Sequence, residues 1–225
     1  LAKYQLKSIL VEKEPDIASG TTKANSAILH AGFDAHAGTM KAKMNVEGNR
    51  IYHELKDELD LDIEWTGSFV AAASDEEMAT VRELLERGSH NGVPGLEIWD
   101  GDKLRKEEPN LSREIKGALW APSAGVCWPF GMAIAFAENA EMNGADILRE
   151  CAVEGFEKEG SASFTISPRK GEYVLFDKTA RKDMVNGVIF PTPSKTSKGI
   201  LVCTTTHGNT FVGPNAQDQE DKDDT

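Results

Sequence analysis

Ser8-Ile9-Leu10-Val11-Glu12-Lys13-Glu14-Pro15, then Ser19-Gly20-Thr21-Thr22-Lys23-Ala24-Asn25-Ser26-Ala27-Ile28-Leu29-His30-Ala31-Gly32, is the stretch on which the fold turns. An apolar run that ends in an acid has the pattern of the second strand of a dinucleotide-binding unit, where the carboxylate at the strand end binds ribose hydroxyls. Glu12 is that acid. The same letters also fit an ordinary surface strand ending in Glu-Lys-Glu. In dinucleotide-binding units the acid lies roughly 20 residues beyond a glycine-rich turn. Only eleven residues precede Glu12, so this reading expects a first strand and its glycine loop to have been cut away. Residues 15–27 form a loop of small polar residues, which lets a backbone approach a ligand closely and offers hydroxyls and amides for hydrogen bonds. His30 then stands between apolar residues and close to Gly32.

Working outward, residues 39–61 read as a helix with Met40, Met44, Ile51, Leu55 and Leu59 on its apolar face. Residues 63–73 read as one strand. Ser74 and Glu77 form a capping box for a helix that buries Met78, Val81 and Leu85 and stops at Gly88. A strand at 96–99, a short helix capped by Asp100 and ended before Pro109, and a strand at 115–121 follow. Pro129 suits the first position of a helix over 129–143, closed by Gly144. A short strand is expected at 145–148. The last third is rich in β runs, at 171–177, 187–192, 199–206 and 210–213, with His207-Gly208-Asn209 as a turn. Helices and strands mix without strict alternation. That predicts an α+β fold, a mostly antiparallel sheet with helices on one face.

The chain has 225 residues, 40% hydrophobic and 28% charged, which suits a globular protein and not a disordered one. No apolar run approaches the roughly 18 residues that span a bilayer, and Leu1 to Leu6 lack the features of a secretory signal. A formal charge of −12 argues against nucleic-acid partners but not against a small anionic substrate gripped by local cations. Part of that charge lies at 218–224, read as a solvated surface segment. Three widely spaced cysteines, Cys127, Cys151 and Cys203, predict reduced thiols in the cytoplasm and no metal site. Peripheral membrane association and oligomeric state stay open. Cys127 reads as a small buried apolar residue rather than a reactive thiol, and the four tryptophans as core or interface residues.

Several strings together resemble the FAD-dependent glycerol-3-phosphate dehydrogenases and their relatives among the D-amino-acid-oxidase-like flavoproteins, which include 2-hydroxyglutarate and amino-acid oxidases. They are 11–15, 19–32, Pro168-Arg169-Lys170-Gly171-Glu172-Tyr173, Thr206-His207-Gly208-Asn209 and Val212-Gly213-Pro214. The resemblance implies FAD as cofactor. It implies that Glu12 holds the adenosine ribose, that Ser19, Thr21 and Thr22 line the pyrophosphate and ribityl region, and that residues 25–30, with Asn25 and Ser26, run beside the flavin ring. It divides the chain into a remnant of a Rossmann-type FAD-binding domain (1–38), the first part of a substrate domain (39–128), a helix-strand segment of the FAD domain (129–160) and the second part of the substrate domain (164–225). There are departures. No glycine-rich turn precedes Leu1, Ser161-Ala162-Ser163 reads as a short linker in place of a segment, and the chain ends before the family's last flavin contacts. The resemblance therefore implies a truncated flavin site, poorly able to retain FAD, and an inactive fragment of an enzyme that oxidises glycerol 3-phosphate. A related oxidase for 2-hydroxyglutarate or an amino acid, and a non-catalytic binding module, are the alternatives.

Oxidation of a secondary alcohol needs a hydride acceptor, a base for the hydroxyl proton and groups that hold the rest of the substrate. His30 and His207 are the candidate bases, since imidazole ordinarily titrates near pH 6.5. His30 also fits a hydrogen-bonded histidine buried beside a strand, and His207 a plain turn residue. Arg169 and Lys170 are candidate anion ligands, with Tyr173 and Asn209 as further substrate contacts. Consecutive strand residues point to opposite faces, so at most one of the two cations faces a cleft. Arg169 is favoured for its planar fork. Lys195 and Lys198 are weaker candidates.

Overall fold

The computed structural model describes Tyr4 and residues 6–155, 169–179, 184–193 and 199–221. Strand β1 (Ile9–Val11) comes first, and one 3-10 turn (Thr21–Lys23) sits in the small-residue loop before β2 (Ile28–Leu29). Helix α1 (Met40–Glu58) is capped by Thr39, whose side chain accepts from the amide of Ala42. The stretch expected as one strand is two, β3 (Ile63–Glu64) and β4 (Ser68–Ala72). Gly67, at φ +68°, turns the corner between them, and its missing side chain makes room for the Trp120 ring.

Helix α2 (Asp75–His90) begins as its sequence demands, with the Ser74 side chain accepting from the Glu77 amide at 3.1 Å. Glu77 Oε2 in turn accepts from the amide of Ala73. The helix does not stop at Gly88 but runs to His90. Gly88 is buried inside it, because Phe33 and Leu96 occupy the space a side chain would need. Then come β5 (Glu97–Asp100), α3 (Gly101–Glu107), β6 (Gly117–Ala121), β7 (Gly125–Cys127), α4 (Pro129–Met142) and β8 (Asp146–Leu148). Asp100 caps α3 by accepting from the Lys103 amide at 2.7 Å, and Pro129 opens α4. The last third supplies β9 (Arg169–Lys170), β10 (Val174–Phe176), β11 (Val188–Pro191), β12 (Leu201–Thr204), β13 (Thr210–Gly213) and β14 (Gln217–Asp218).

Seven strands form the central sheet in the order β10-β13-β12-β11-β4-β6-β5. Every neighbouring pair is antiparallel except β11 and β4, which run parallel. Alternation along β4 sends Val70 and Ala72 to one face and Phe69 and Ala71 to the other. On the first face Val81 and Leu84 of α2 pack against Val70, Leu119, Phe190 and Phe211. Each of these fully buried aliphatic side chains contributes about 1.5–3 kcal/mol. The second face is closed by Phe69, Ile189, Trp99 and Trp120, with Leu104 of the short α3. The fold is α+β, as expected; α2 covers one face while α3 joins the aromatic cluster on the other.

Among the described residues three small sheets accompany the large one: β2-β7-β3, antiparallel; β9-β14, antiparallel; and β1-β8, parallel. The inward face of α1 is the expected one only in its second half, where Leu55 and Leu59 pack against the cluster of Leu61, Ile63, Cys127 and Met132. In the first half Met40 and Met44 are 69% and 51% exposed, and Ala42 and Asn49 are the buried residues, with Val46 partly buried beside them. Positions 42, 46 and 49 share a helical face, but one of them is polar and one is alanine, so hydrophobicity alone misplaces the stripe there. Among the described residues no helix is long and apolar enough to cross a membrane.

Candidate active site

Glu12 lies at the carboxyl end of β1, whose parallel ladder with β8 is prolonged by a 2.9 Å bond from the Glu12 amide to the Leu148 carbonyl. Its Oε1 accepts from the amide of Glu14 at 2.9 Å. The loop that follows is held by its own side chains. The Ser19 hydroxyl donates to the Asp16 carbonyl at 2.9 Å. The Asn25 amide donates to the Thr21 and Thr22 carbonyls and accepts from the amide of Ala27. Thr22 and Asn25 then border a cavity of about 320 Å³ with Tyr52, Cys127, Pro129, Met132 and Phe136. Burial raises the Tyr52 phenol above its ordinary pKa. The Cys127 thiol is pushed up to about 11 by burial, with the negative charge of Asp62 adding to the effect. Such a thiol is inert at neutral pH, as its reading as a buried apolar residue expects.

Two contacts tie the loop side to the later strands. The Ser26 hydroxyl and the Tyr173 hydroxyl are 2.9 Å apart, and the Tyr173 ring stands edge-on to Phe211 of β13. The His207 ring, exposed on the β12–β13 turn, meets Trp128 edge-on with centroids 5.5 Å apart. Trp128 immediately precedes Pro129, which lines the loop's cavity.

His30 is exposed rather than buried. Its ring is 5.9 Å from that of Phe190 on β11, at the mouth of a second, small cavity of about 30 Å³ lined also by Phe33, Asp34, Val70, Leu84, Pro191 and Pro193. The two imidazoles therefore line different surfaces: His30 faces β11, and His207 faces the start of α4. Arg169 is held by Asp218 across the β9–β14 ladder at 2.7 Å. Asn209 donates to the Phe176 carbonyl at 3.3 Å and helps close its own turn. Lys170 lies on β9 beside Arg169, on the alternate face. Lys195 and Lys198 lie outside the described residues. Tyr52, Phe136, Phe190 and Pro191 were not singled out in the sequence. Tertiary packing brings the first two to the loop's cavity and the last two to the His30 cavity, and no local pattern marks them.

A family model described as FAD dependent oxidoreductase matches residues 1–166. The chain belongs to the FAD-dependent oxidoreductase family. Within that family it is 41% identical over 255 aligned residues to a glycerol 3-phosphate dehydrogenase of Caloramator mitchellensis, covering 99% of this chain and 53% of the relative. It is 27% identical over 258 residues to the mitochondrial L-2-hydroxyglutarate dehydrogenase of Caenorhabditis elegans, covering 96% of this chain and 59% of the relative. Among solved structures, the FAD-bound L-alpha-glycerophosphate oxidase of Mycoplasma pneumoniae superposes with a TM-score of 0.85 at 23% identity, over 100% of this chain and 68% of that one. The glycine oxidase of Bacillus cereus gives 0.77 at 21%, over 97% and 68%. The chain thus spans little more than half the length of these curated relatives, and the flavoenzyme fold extends over all of it.

Proposed function

We propose that residues 1–225 are the substrate-binding region, with part of the flavin site, of an FAD-dependent dehydrogenase that oxidises glycerol 3-phosphate to dihydroxyacetone phosphate. The observation that carries this is the exposed His30 imidazole at the end of β2, with the hydroxyl-rich loop on its N-terminal side and β11 facing its ring. The choice of substrate is supported by the 41% identity to a glycerol 3-phosphate dehydrogenase. The residues present suit one flank of FAD: an acid at the carboxyl end of a parallel strand, where such cofactors bind, then a loop with Ser19, Thr21 and Thr22, then an open cavity reached by Thr22 and Asn25. Glu12 would hold the adenosine ribose, and Ser26 and Asn25 would shape the loop beside the ring.

Bound FAD would supply the hydride acceptor that the carbinol carbon needs. His30 takes the hydroxyl proton on its imidazole. Tyr173, fixed by Ser26, and the cations of β9, Arg169 and Lys170, hold the anionic end of the substrate, with Asn209 beside its own turn as a further contact. His207, against Trp128, is the alternative base. The division into flavin-side segments at 1–38 and 129–160 and substrate-side segments at 39–128 and 164–225 follows the same reading, with the β1–β8 ladder joining the first two.

The test is turnover by the full-length protein with an artificial electron acceptor. Glycerol 3-phosphate should be oxidised in preference to L-2-hydroxyglutarate and amino acids. His30→Ala should lower kcat by ~10²–10⁴-fold, the range of a lost general base, with flavin content unchanged. Preference for L-2-hydroxyglutarate would favour the second relative. No acceptor reduction with any of these substrates would make the region a non-catalytic binding module. The 225 residues alone should purify colourless, because Ile9, Leu10 and Val11 of the β1–β8 ladder are all exposed. A flavin absorbance band in that preparation would refute the weak-binding claim.

A further inference from the structure

The backbone from His30 to Ala35 is fixed by side chains from two helices. Asn45 and Asn49, one turn apart on α1, both donate to the His30 carbonyl, at 2.9 and 3.2 Å. On α2, Arg87 donates to the Asp34 carbonyl at 3.1 Å. Asn91, just past its end, donates to the carbonyls of Gly32 and Ala35 at 3.1 and 2.8 Å. Asn49 differs from the others in being buried, at 7% exposure, and in donating a second time, to the Ser123 carbonyl at 2.8 Å. Both of its partners are carbonyl oxygens, which only accept, so the amide nitrogen must face them. One side chain thereby pins the residue that carries the imidazole to the turn between β6 and β7.

We infer that Asn49 is a positioning residue for His30, with Asn45 as its outer partner on the same carbonyl. The carbonyl they grip belongs to His30 itself, so it fixes the peptide plane from which the side chain departs. Gly32, at φ +107° and placed where any side chain would meet Val46 of α1 at 2.7 Å, lets that plane lie near the helix. A sub-ångström drift of this plane would swing the ring away from Phe190, and misplacement of a reacting group by about 1 Å costs ~10²-fold in rate. The catalytic consequence rests on His30 being the base; the geometric claim does not.

The experiment compares the full-length protein with Asn49→Asp, Asn45→Ala, His30→Ala and the pairwise combinations. Aspartate has the shape of asparagine but no donor, and it sets a negative oxygen against two carbonyls. Asn49→Asp should lower kcat by ~10²-fold while KM and flavin content stay within about threefold of the parent. It should lower kcat no further in the His30→Ala background, since residues acting through one another are non-additive. Additive losses, or a fall in flavin content that matches the fall in rate, would overturn the inference. If Asn49→Asp does not fold, Asn45→Ala, at a half-buried position, carries the test, with a several-fold loss that again vanishes without His30. If the parent proves inactive, or His30→Ala retains full turnover, the functional reading fails by itself. The geometric claim is then judged by the His30 ring resonances in the NMR spectrum, which must shift in Asn49→Asp, and unchanged resonances would sink it.

Discussion

Glu108 is only 1% exposed, and its carboxylate is the acceptor for two backbone amides that have no place in any ladder. The Asn186 amide donates to both oxygens at 3.0 and 2.9 Å, and the Gly187 amide donates to Oε1 at 2.6 Å. The Asn186 side chain adds a bond to the Glu107 carbonyl, and Asn110 one to the Met184 carbonyl. This latch delivers the chain into β11, which carries Phe190 and Pro191 to the His30 cavity. Glu108→Ala strands the buried Gly187 N–H, worth about 1–3 kcal/mol, and frees the part-buried Asn186 N–H beside it, so the expected loss is about 1–3 kcal/mol. Equilibrium urea unfolding measures it, and hydrogen exchange should show the amides of 186 and 187 opening first. Glu108→Gln keeps one acceptor and should lose less. Burial pushes the Glu108 carboxyl above its ordinary value, against the pull of the Asn186 and Gly187 amides. With the folded value raised, its contribution is fully present below the unfolded value and falls as pH rises through the folded one. The stability gap between parent and Glu108→Gln should therefore narrow as pH climbs past the usual carboxylate range. A loss under about 1 kcal/mol for Glu108→Ala, with unchanged exchange at 186 and 187, would refute the latch.

Gly88→Ala should destabilise, although alanine inside a helix ordinarily gains about 1 kcal/mol over glycine. The new methyl would meet Cβ of Phe33 at 2.7 Å as well as Leu96. Overpacking of this kind costs about 1–3 kcal/mol, and a raised melting temperature would disprove the packing argument. The Cys127 thiol, held near 11, should resist alkylation at pH 8, where roughly one molecule in a thousand is thiolate against about a quarter for an ordinary thiol. Its rate should rise about tenfold per pH unit up to pH 10, and rapid labelling of the native protein at pH 8 would contradict that environment.

Features that depend on local chemistry were legible in the sequence. Ser74 with Glu77, Asp100 before α3 and Pro129 at the head of α4 each satisfy or excuse amide groups within one turn, and each helix starts where they say. What was hidden depends on partners far along the chain. Gly67 reads as one more residue in an apolar run until Trp120 fills the space beside it. Strand β7 is three residues long and exists because β2 and β3 pair with it on either side. The first half of the α1 stripe was misplaced because its inward face there carries Asn49 at the point where the helix grips other backbone, while Leu55 and Leu59 pack as expected, so the error in phase and the missed positioning residue have one cause. Arg169 was favoured as an anion ligand for its planar fork, and its ion pair with Asp218, 49 positions away, is one that no local pattern announces.

The parallel seam of the large sheet joins Ser68 to Val188, 120 positions later. On one side β4, β6 and β5 pair with one another across connections that carry α2 and α3, within about 55 residues of chain, and on the other β11, β12 and β13 form a meander. Each block can assemble from near neighbours, whereas the seam must gather the two ends of a long excursion, the slow step in topologies of this kind. Synthesis delivers the first block with one edge bare, so from the emergence of residue 72 until that of residue 188 the nascent chain exposes the edge of β4 that its own last third will later cover.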